Sequence, residues 1–114
     1  MNTRQKGSRG EERAVEYLLD RGYTVVTRNY EAKNGEIDCI AKDPEDTLVF
    51  IEVKASRGNS MGSPFFRVNR AKQQQIRKMA QRYLAEHRIQ RQPCRFDVIA
   101  IQGEKIEHMK NAFI

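Results

Sequence analysis

Two stretches of the chain carry apolar residues at the spacing of an amphipathic helix. The first stripe consists of Ala14, Val15, Leu18 and Leu19. The second stripe consists of Ile76, Met79, Ala80, Tyr83 and Leu84. Residues three and four apart share one face of a helix, so the stripes predict helices over about residues 9–21 and 69–88, each with one buried side.

Four other stretches are rich in β-branched and aromatic residues and predict strands. They read YTVVTRNY, EIDCIAK, TLVFIEVK and CRFDVIAI. The turn sequences EAKNG and DPED separate the first three of them. The closing stretch KIEHMKNAFI is either a fifth strand or an irregular tail. The order α-β-β-β-α-β predicts an α/β fold with a small mixed sheet flanked by helices.

The length of 114 residues fits one domain with one modest core. We expect it to span residues 1–114, with a loose basic arm at 1–7 and a flexible glycine- and serine-rich loop at 55–67. No apolar run reaches the length of a membrane span and no secretion signal is evident, so a cytoplasmic location is expected. Cys39 and Cys94 lack the neighbours of a zinc site and are interpreted as buried, reduced thiols.

The distribution of charge is more informative than the net charge of +6. Between Ala55 and Arg95 there are ten basic residues and a single acidic one, Glu86, whereas carboxylates crowd into residues 31–52. This separation suits a polyanion held against a local acidic pocket. A basic surface that serves solubility alone is an equally weighted alternative at this stage.

The acidic residues of the second and third strands predict a site. Alternation places Glu52 and Lys54 on one face of the third strand and Glu36 and Asp38 together on the second. A turn centred near Glu45 would set Asp38 opposite Glu52. Like charges in that arrangement repel, and Mg²⁺ would resolve the conflict, because it binds carboxylates, water and phosphate oxygens. The alternative is an ordinary charged surface hairpin.

Glu11 falls on the inward face of the first helix, where a carboxylate is unusual unless it is paired, capping or linked to a metal. A capping box with Ser8 would also explain a glutamate at this position.

For two other polar residues we expect structural roles and no catalytic or ligand role. Asp97, in a buried strand, is expected to be a hydrogen-bonding partner, and His108 is expected at the surface.

The segments GSRGEERAVEYLLDRGYTVVTRNY, GEIDCIAKD and LVFIEVKASRG together resemble the YraN-type bacterial proteins of the PD-(D/E)xK nuclease superfamily. They are also similar to archaeal Holliday-junction resolvases. The resemblance covers nearly the whole chain and implies a restriction-endonuclease-like fold with a Mg²⁺-dependent phosphodiesterase site, in which Mn²⁺ could replace Mg²⁺. Ile37 stands where the superfamily's name-giving proline would be, and this branch commonly reads G-E-I-D there.

The resemblance also implies roles for individual residues. Asp38, Glu52 and the backbone carbonyl of Val53 would bind one or two metal ions. Lys54 would position the attacking water, and Glu11 would support the metal, directly or through water. Glu36 is a weaker candidate, expected at a frayed strand start.

Basic and amide side chains are expected to bind DNA. They are Arg57, Arg67, Lys72 and Gln73. The remaining charges of the second helix are expected to form a solvated face. Branched DNA is one expected substrate, and its twofold form would suit a homodimer. Three alternatives stay open: a catalytically silent nucleic-acid-binding protein with the nuclease fold, an RNA-binding accessory protein, and a general nuclease acting on ends or single strands.

Overall fold

The computed structural model describes residues 8–33, 35–56 and 68–113. Its elements in chain order are α1 (Ser8–Asp20), β1 (Thr24–Ala32), β2 (Gly35–Lys42), β3 (Leu48–Ser56), α2 (Arg70–Glu86), β4 (Cys94–Gln102) and β5 (Lys105–Met109). The predicted helices and strands are confirmed to within a few residues at each end. The closing stretch forms a fifth strand, so the order is α-β-β-β-α-β-β.

The five strands form one open sheet in the order β1-β2-β3-β4-β5. The β3–β4 pair is parallel and the other three pairs are antiparallel. Parallel neighbours need a crossover connection, and the chain supplies it with the segment that contains α2. The result is an α/β restriction-endonuclease-like architecture, as predicted. Within the described residues, neither helix combines the length and apolar character needed to cross a bilayer.

Helix α1 covers one face of the sheet. Ala14 and Leu18 are fully buried there against Val49, Ile51 and Ile99. Leu19, predicted to lie on the same stripe, is 53% exposed instead. The buried side of α1 is therefore narrower than the four-residue stripe indicated.

Helix α2 covers the opposite face. Its predicted stripe is confirmed, since Ile76, Met79, Ala80 and Tyr83 are buried and Leu84 packs beside them. Asn69 caps the helix, its side-chain oxygen accepting a hydrogen bond from the backbone N–H of Lys72 at 2.8 Å. Each face of the sheet is thus covered by one helix.

The structure corrects two expectations, on the start of the predicted loop and on Cys94, and leaves others outside the described residues. Ala55 and Ser56, the first two residues of the loop predicted at 55–67, instead continue β3 by pairing with β4. The rest of that loop and the basic arm at 1–7 lie outside the described residues. Cys39 is buried as expected, but Cys94 is exposed because it opens β4 directly after a proline.

A buried charged network ties β4 to the surrounding elements. Asp97 is fully buried and accepts hydrogen bonds from Arg95, from the His108 ring at 2.7 Å and from the Asn111 backbone N–H. Arg95 also pairs with Asp43 at 2.6 Å. The structural role expected for Asp97 is confirmed, whereas the surface position expected for His108 is wrong, since its side chain is only 5% exposed.

Desolvation would raise the pKa of Asp97, but hydrogen bonds from His108 and Arg95 outweigh it and hold the pKa below its ordinary value. A group with a lowered pKa in the folded state stabilises the fold above its unfolded pKa, and this contribution is lost as pH falls. The network should therefore contribute to stability at neutral pH.

Asp97→Ala should lower the free energy of unfolding at pH 7 by roughly 3–5 kcal/mol, because Arg95, His108 and the Asn111 N–H lose the acceptor that they share. Urea denaturation would measure the change. Glu107→Ala is the matched control, since it breaks an exposed ion pair with Lys105 and should cost less than about 1 kcal/mol. Equal losses in the two variants would show that the buried network does not stabilise the fold.

Candidate metal centre

The hairpin formed by β2 and β3 has the predicted register. Its pairs run from Lys42–Leu48 to Cys39–Ile51 and are centred on Glu45. Asp38 and Glu52 are the next residues beyond the last pair. There the contact between the strands continues through a side chain, because the Asp38 carboxylate accepts a hydrogen bond of 2.8 Å from the backbone N–H of Val53.

Near Asp38, strands β1 and β2 both depart from regular strand geometry. Ile37 and Ile40 pack against the same helix, α2, although strict alternation would put residues three apart on opposite faces. In β1, Asn29 takes a left-handed conformation with φ 52°. In the β1–β2 ladder, Arg28 pairs with Cys39 and Tyr30 pairs with Ile37. Asn29 and Asp38 lie between these two pairs. Asp38 therefore lies at a local break in the sheet.

Three carboxylates converge at this break. Oxygens of Glu11, Glu36 and Asp38 all lie within 4.8 Å of one another. Glu36 was expected at a frayed strand start, and this expectation is wrong, since it pairs with Glu31 of β1 and is half-buried. The trio brings together the first turn of α1 and two positions of β2.

Packing of α2 against the start of β2 places Glu36. Gly35 has φ +146°, and a Cβ there would lie 2.5 Å from the side-chain nitrogen of Gln75. The positive φ favours glycine at this position, and a Cβ would also displace the end of the Gln75 side chain. The glycine of the G-E-I-D segment thus fixes where the following glutamate emerges.

Glu11 reaches the site from α1, and its position is set by a residue that the sequence analysis missed. The side-chain amide of Asn29 donates a hydrogen bond of 3.0 Å to the Glu11 carboxylate. Asparagine tolerates the left-handed backbone found there better than most residues do. The capping box proposed for Glu11 stays a prediction, because the structure describes the backbone of Ser8 but not its side chain.

Glu52 and Lys54 lie on the adjacent strand, and Glu52 is not a member of the trio. The Glu52 side chain is 17% exposed and has the Lys72 ammonium 3.9 Å away. Lys54 is half-buried two residues further along β3. Val53, between them, contributes its backbone N–H to Asp38, whereas metal binding through its carbonyl stays a prediction.

Burial and like charge make Asp38 a weak acid. Desolvation and the charge of Glu52 raise its pKa to about 8, and the bond from Val53 only partly opposes them. Desolvation also raises the pKa of Glu52, against the charges of Lys72 and Lys54. The site thus holds more negative charge than the neighbouring side chains neutralise. A bound cation would neutralise the remainder.

Of the four residues predicted to bind DNA, the structure describes Lys72 and Gln73. Lys72 faces Glu52, as described above. Gln73 instead donates its amide to the carbonyl oxygen of Val68 at 2.7 Å. Arg57 and Arg67 lie outside the described residues. Gln73 also lines a cavity of about 480 Å³, together with Arg70, Gln74 and Arg77 of the same helix.

The donor set fits a hard divalent cation. Glu11, Glu36 and Asp38 offer only carboxylate oxygens, the ligands that Mg²⁺, Mn²⁺ and Ca²⁺ prefer, and their mutual distances allow one ion to be shared. Glu52 would need to turn away from Lys72 to join them.

Comparison with known proteins assigns the family. Residues 10–101 match the model of Uncharacterised protein family UPF0102. The chain belongs to this family. The resemblance to the YraN-type proteins is thereby confirmed.

The UPF0102 relatives are similar over almost their full length. UPF0102 protein THEYE_A1950 of Thermodesulfovibrio yellowstonii is 45% identical, and the match covers 94% of each chain. A UPF0102 protein of Pelobacter propionicus is 44% identical over 98% of this chain and 84% of its own. UPF0102 protein RSc3265 of Ralstonia nicotianae is also 44% identical, over 94% and 85%.

Replacing Asp38 should reveal the cost of its charge. Because the folded-state pKa is raised, stability is lost as pH rises from 3.8 towards about 8, while the unfolded chain ionises first. In EDTA, Asp38→Asn should therefore raise the free energy of unfolding at pH 8 by roughly 2 kcal/mol and have little effect near pH 4.

Urea denaturation at the two pH values measures this difference. Asp46→Asn, at the exposed hairpin turn, is the matched control and should show no such trend. A destabilised Asp38→Asn protein at pH 8 would contradict the electrostatic description of the site.

Removing the amide of Asn29 should loosen Glu11. Asn29→Gly keeps the left-handed backbone accessible and deletes the donor, so Mn²⁺ affinity should fall by about tenfold. In a Glu11→Gln background the same change should have little further effect, because the oriented carboxylate is already gone. Calorimetric titration of the four proteins would measure this, and additive losses would count against the assignment.

Proposed function

We propose that this UPF0102 protein is a metal-dependent DNA endonuclease that hydrolyses phosphodiester bonds. The observation that carries the proposal is the convergence of the Glu11, Glu36 and Asp38 carboxylates at a break in the sheet. An arrangement that raises the pKa of Asp38 to about 8 does not serve stability. Such departures from local rules are expected at functional sites.

The chain's own residues would prepare the reaction as follows. Glu11, Glu36 and Asp38 would hold Mg²⁺ or Mn²⁺, with Asp38 oriented by the Val53 N–H. The bound cation would lower the pKa of a water molecule and stabilise negative charge on the phosphate. Asn29 would keep the Glu11 carboxylate aimed at the site.

Two residues of β3 would complete the site. Lys54, half-buried and close enough for its charge to act on Glu52, would orient the attacking water or stabilise charge on the phosphate. Glu52 would provide a further oxygen ligand when it leaves Lys72. The backbone carbonyl of Val53 would be available on the same strand.

Binding would depend mainly on phosphate contacts. The excess of basic residues between Ala55 and Arg95 would supply them, among them Lys72, whose ammonium lies 3.9 Å from Glu52. Phosphate contacts carry no sequence information, so binding should respond to DNA shape and fall with salt. A homodimer would suit a twofold substrate such as a four-way junction.

One observation favours a second candidate, a nucleic-acid-binding protein without turnover. Glu52 is turned to Lys72 and stands outside the acidic trio. If that pairing persisted with substrate bound, the site would lack one of its expected ligands. The basic surface would then be the functional part of the molecule.

A cleavage assay separates the candidates. Labelled four-way junction, flap, single strand and linear duplex would be incubated with Mg²⁺, Mn²⁺ or EDTA, and an RNA duplex would be included. We expect metal-dependent cutting that falls by at least about 100-fold in Asp38→Asn and Glu52→Gln while DNA binding is retained. Asp46→Asn should cut like the parent protein.

Retained cutting in Asp38→Asn would exclude this carboxylate as a catalytic residue. Tight, salt-sensitive binding without cutting under any metal would favour the binding protein. Stronger binding of RNA than of branched DNA would favour an RNA-binding role.

A further inference from the structure

Lys72 occupies a position that a helix does not favour for a cation. It lies in the first turn of α2, three residues after the cap Asn69, and that turn contains no acidic residue. The partial positive charge of a helix N-terminus disfavours lysine there. A compensating interaction is therefore expected, and the structure provides it in Glu52.

Lys72 and Glu52 are close enough for electrostatic attraction but too far apart for a hydrogen bond. Their charged atoms are 3.9 Å apart, beyond hydrogen-bond distance. The Lys72 side chain is 37% exposed, so water and other anions can reach its ammonium group. Glu52, at 17% exposure, is the more buried partner and depends more on the pair.

The same contact explains why Glu52 stands apart from the acidic trio. Glu11, Glu36 and Asp38 lie within 4.8 Å of one another, whereas Glu52 is held by a cation from the other side of the sheet. Lys54 also acts on Glu52, but a Glu52 carboxylate that turns to a metal ion at the trio has to leave Lys72. The ammonium of Lys72 and a metal ion are therefore competitors for it.

We propose that Lys72 is an exchangeable counter-ion, which holds Glu52 while the site is free of metal and turns to a DNA phosphate when Glu52 turns to the metal. This inference rests on the proposed function. It makes Lys72 a positioning residue, since it acts on the metal ligands through Glu52. It also couples the two ligands, because each releases the group that the other needs.

Two consequences follow from such an exchange. In the protein without DNA, removing the ammonium should strengthen metal binding, because Glu52 no longer has to leave a partner. With DNA present, the phosphate and the metal should support each other only when Lys72 is there to move between them.

Calorimetric titration of the full chain with Mg²⁺, without DNA, tests the first consequence. Lys72→Gln should bind Mg²⁺ about fivefold or more tightly than the parent protein, and Lys72→Arg, which keeps the charge, should stay within about twofold of it. Lys78→Gln is the matched control, an exposed α2 lysine for which the described residues show no ion pair, and should also stay within about twofold. Thermal unfolding in EDTA would verify that all variants fold.

Fluorescence anisotropy with a labelled DNA duplex tests the second consequence. Ca²⁺, which takes the same oxygen ligands, serves as the probe ion. The gain in DNA affinity from EDTA to Ca²⁺ should be about fivefold larger for the parent protein than for Lys72→Gln. Equal gains in the two proteins would overturn the exchange.

The outcomes separate this inference from the proposed function. If the parent protein binds Mg²⁺ and cuts DNA but Lys72→Gln binds Mg²⁺ no more tightly than Lys78→Gln, the exchange is wrong and the nuclease stands. If no variant binds Mg²⁺, the metal-dependent function fails and the exchange fails with it.

Discussion

Keeping the Asp38 carboxylate between two strands of a sheet costs free energy, because it loses water and faces three other carboxylates, those of Glu11, Glu36 and Glu52. Three local features of β1, β2 and β3 surround the Asp38 carboxylate. The β2–β3 ladder ends beside it, the Val53 N–H donates to its carboxylate, and Asn29 of β1 adopts a left-handed backbone. The folded chain thereby holds an incompletely neutralised anionic site, which a divalent cation would complete.

The rest of the fold supplies the stability that this site lacks. Helices α1 and α2 cover opposite faces of the sheet with separate apolar clusters. Away from the acidic centre, the bonds from Arg95, His108 and Asn111 satisfy the buried charge of Asp97. Asp38 and Asp97 are thus buried acids in contrasting settings, the first with a raised pKa and the second with a lowered one. Only the first has the character of a reactive site.

Much of the fold could be predicted from local patterns, because apolar spacing and turn residues fix helices, strands and the centre of the β2–β3 hairpin. The positions of Glu36 and Asn29 could not, since they depend on how β1 pairs with β2 and where that ladder is interrupted. The burial of His108 depends on β5 pairing with β4, a contact that no local pattern specifies. For the candidate site, the sequence indicated Asp38 and Glu11, but the grouping of carboxylates required the three-dimensional arrangement.

The most direct test of a metal centre at this break is anomalous diffraction from crystals grown with Mn²⁺. We expect a peak within coordination distance of Asp38 and of at least one of Glu11 and Glu36, with the Glu52 carboxylate turned away from Lys72. A peak elsewhere, or none at Mn²⁺ concentrations that saturate the protein in solution, would contradict this expectation.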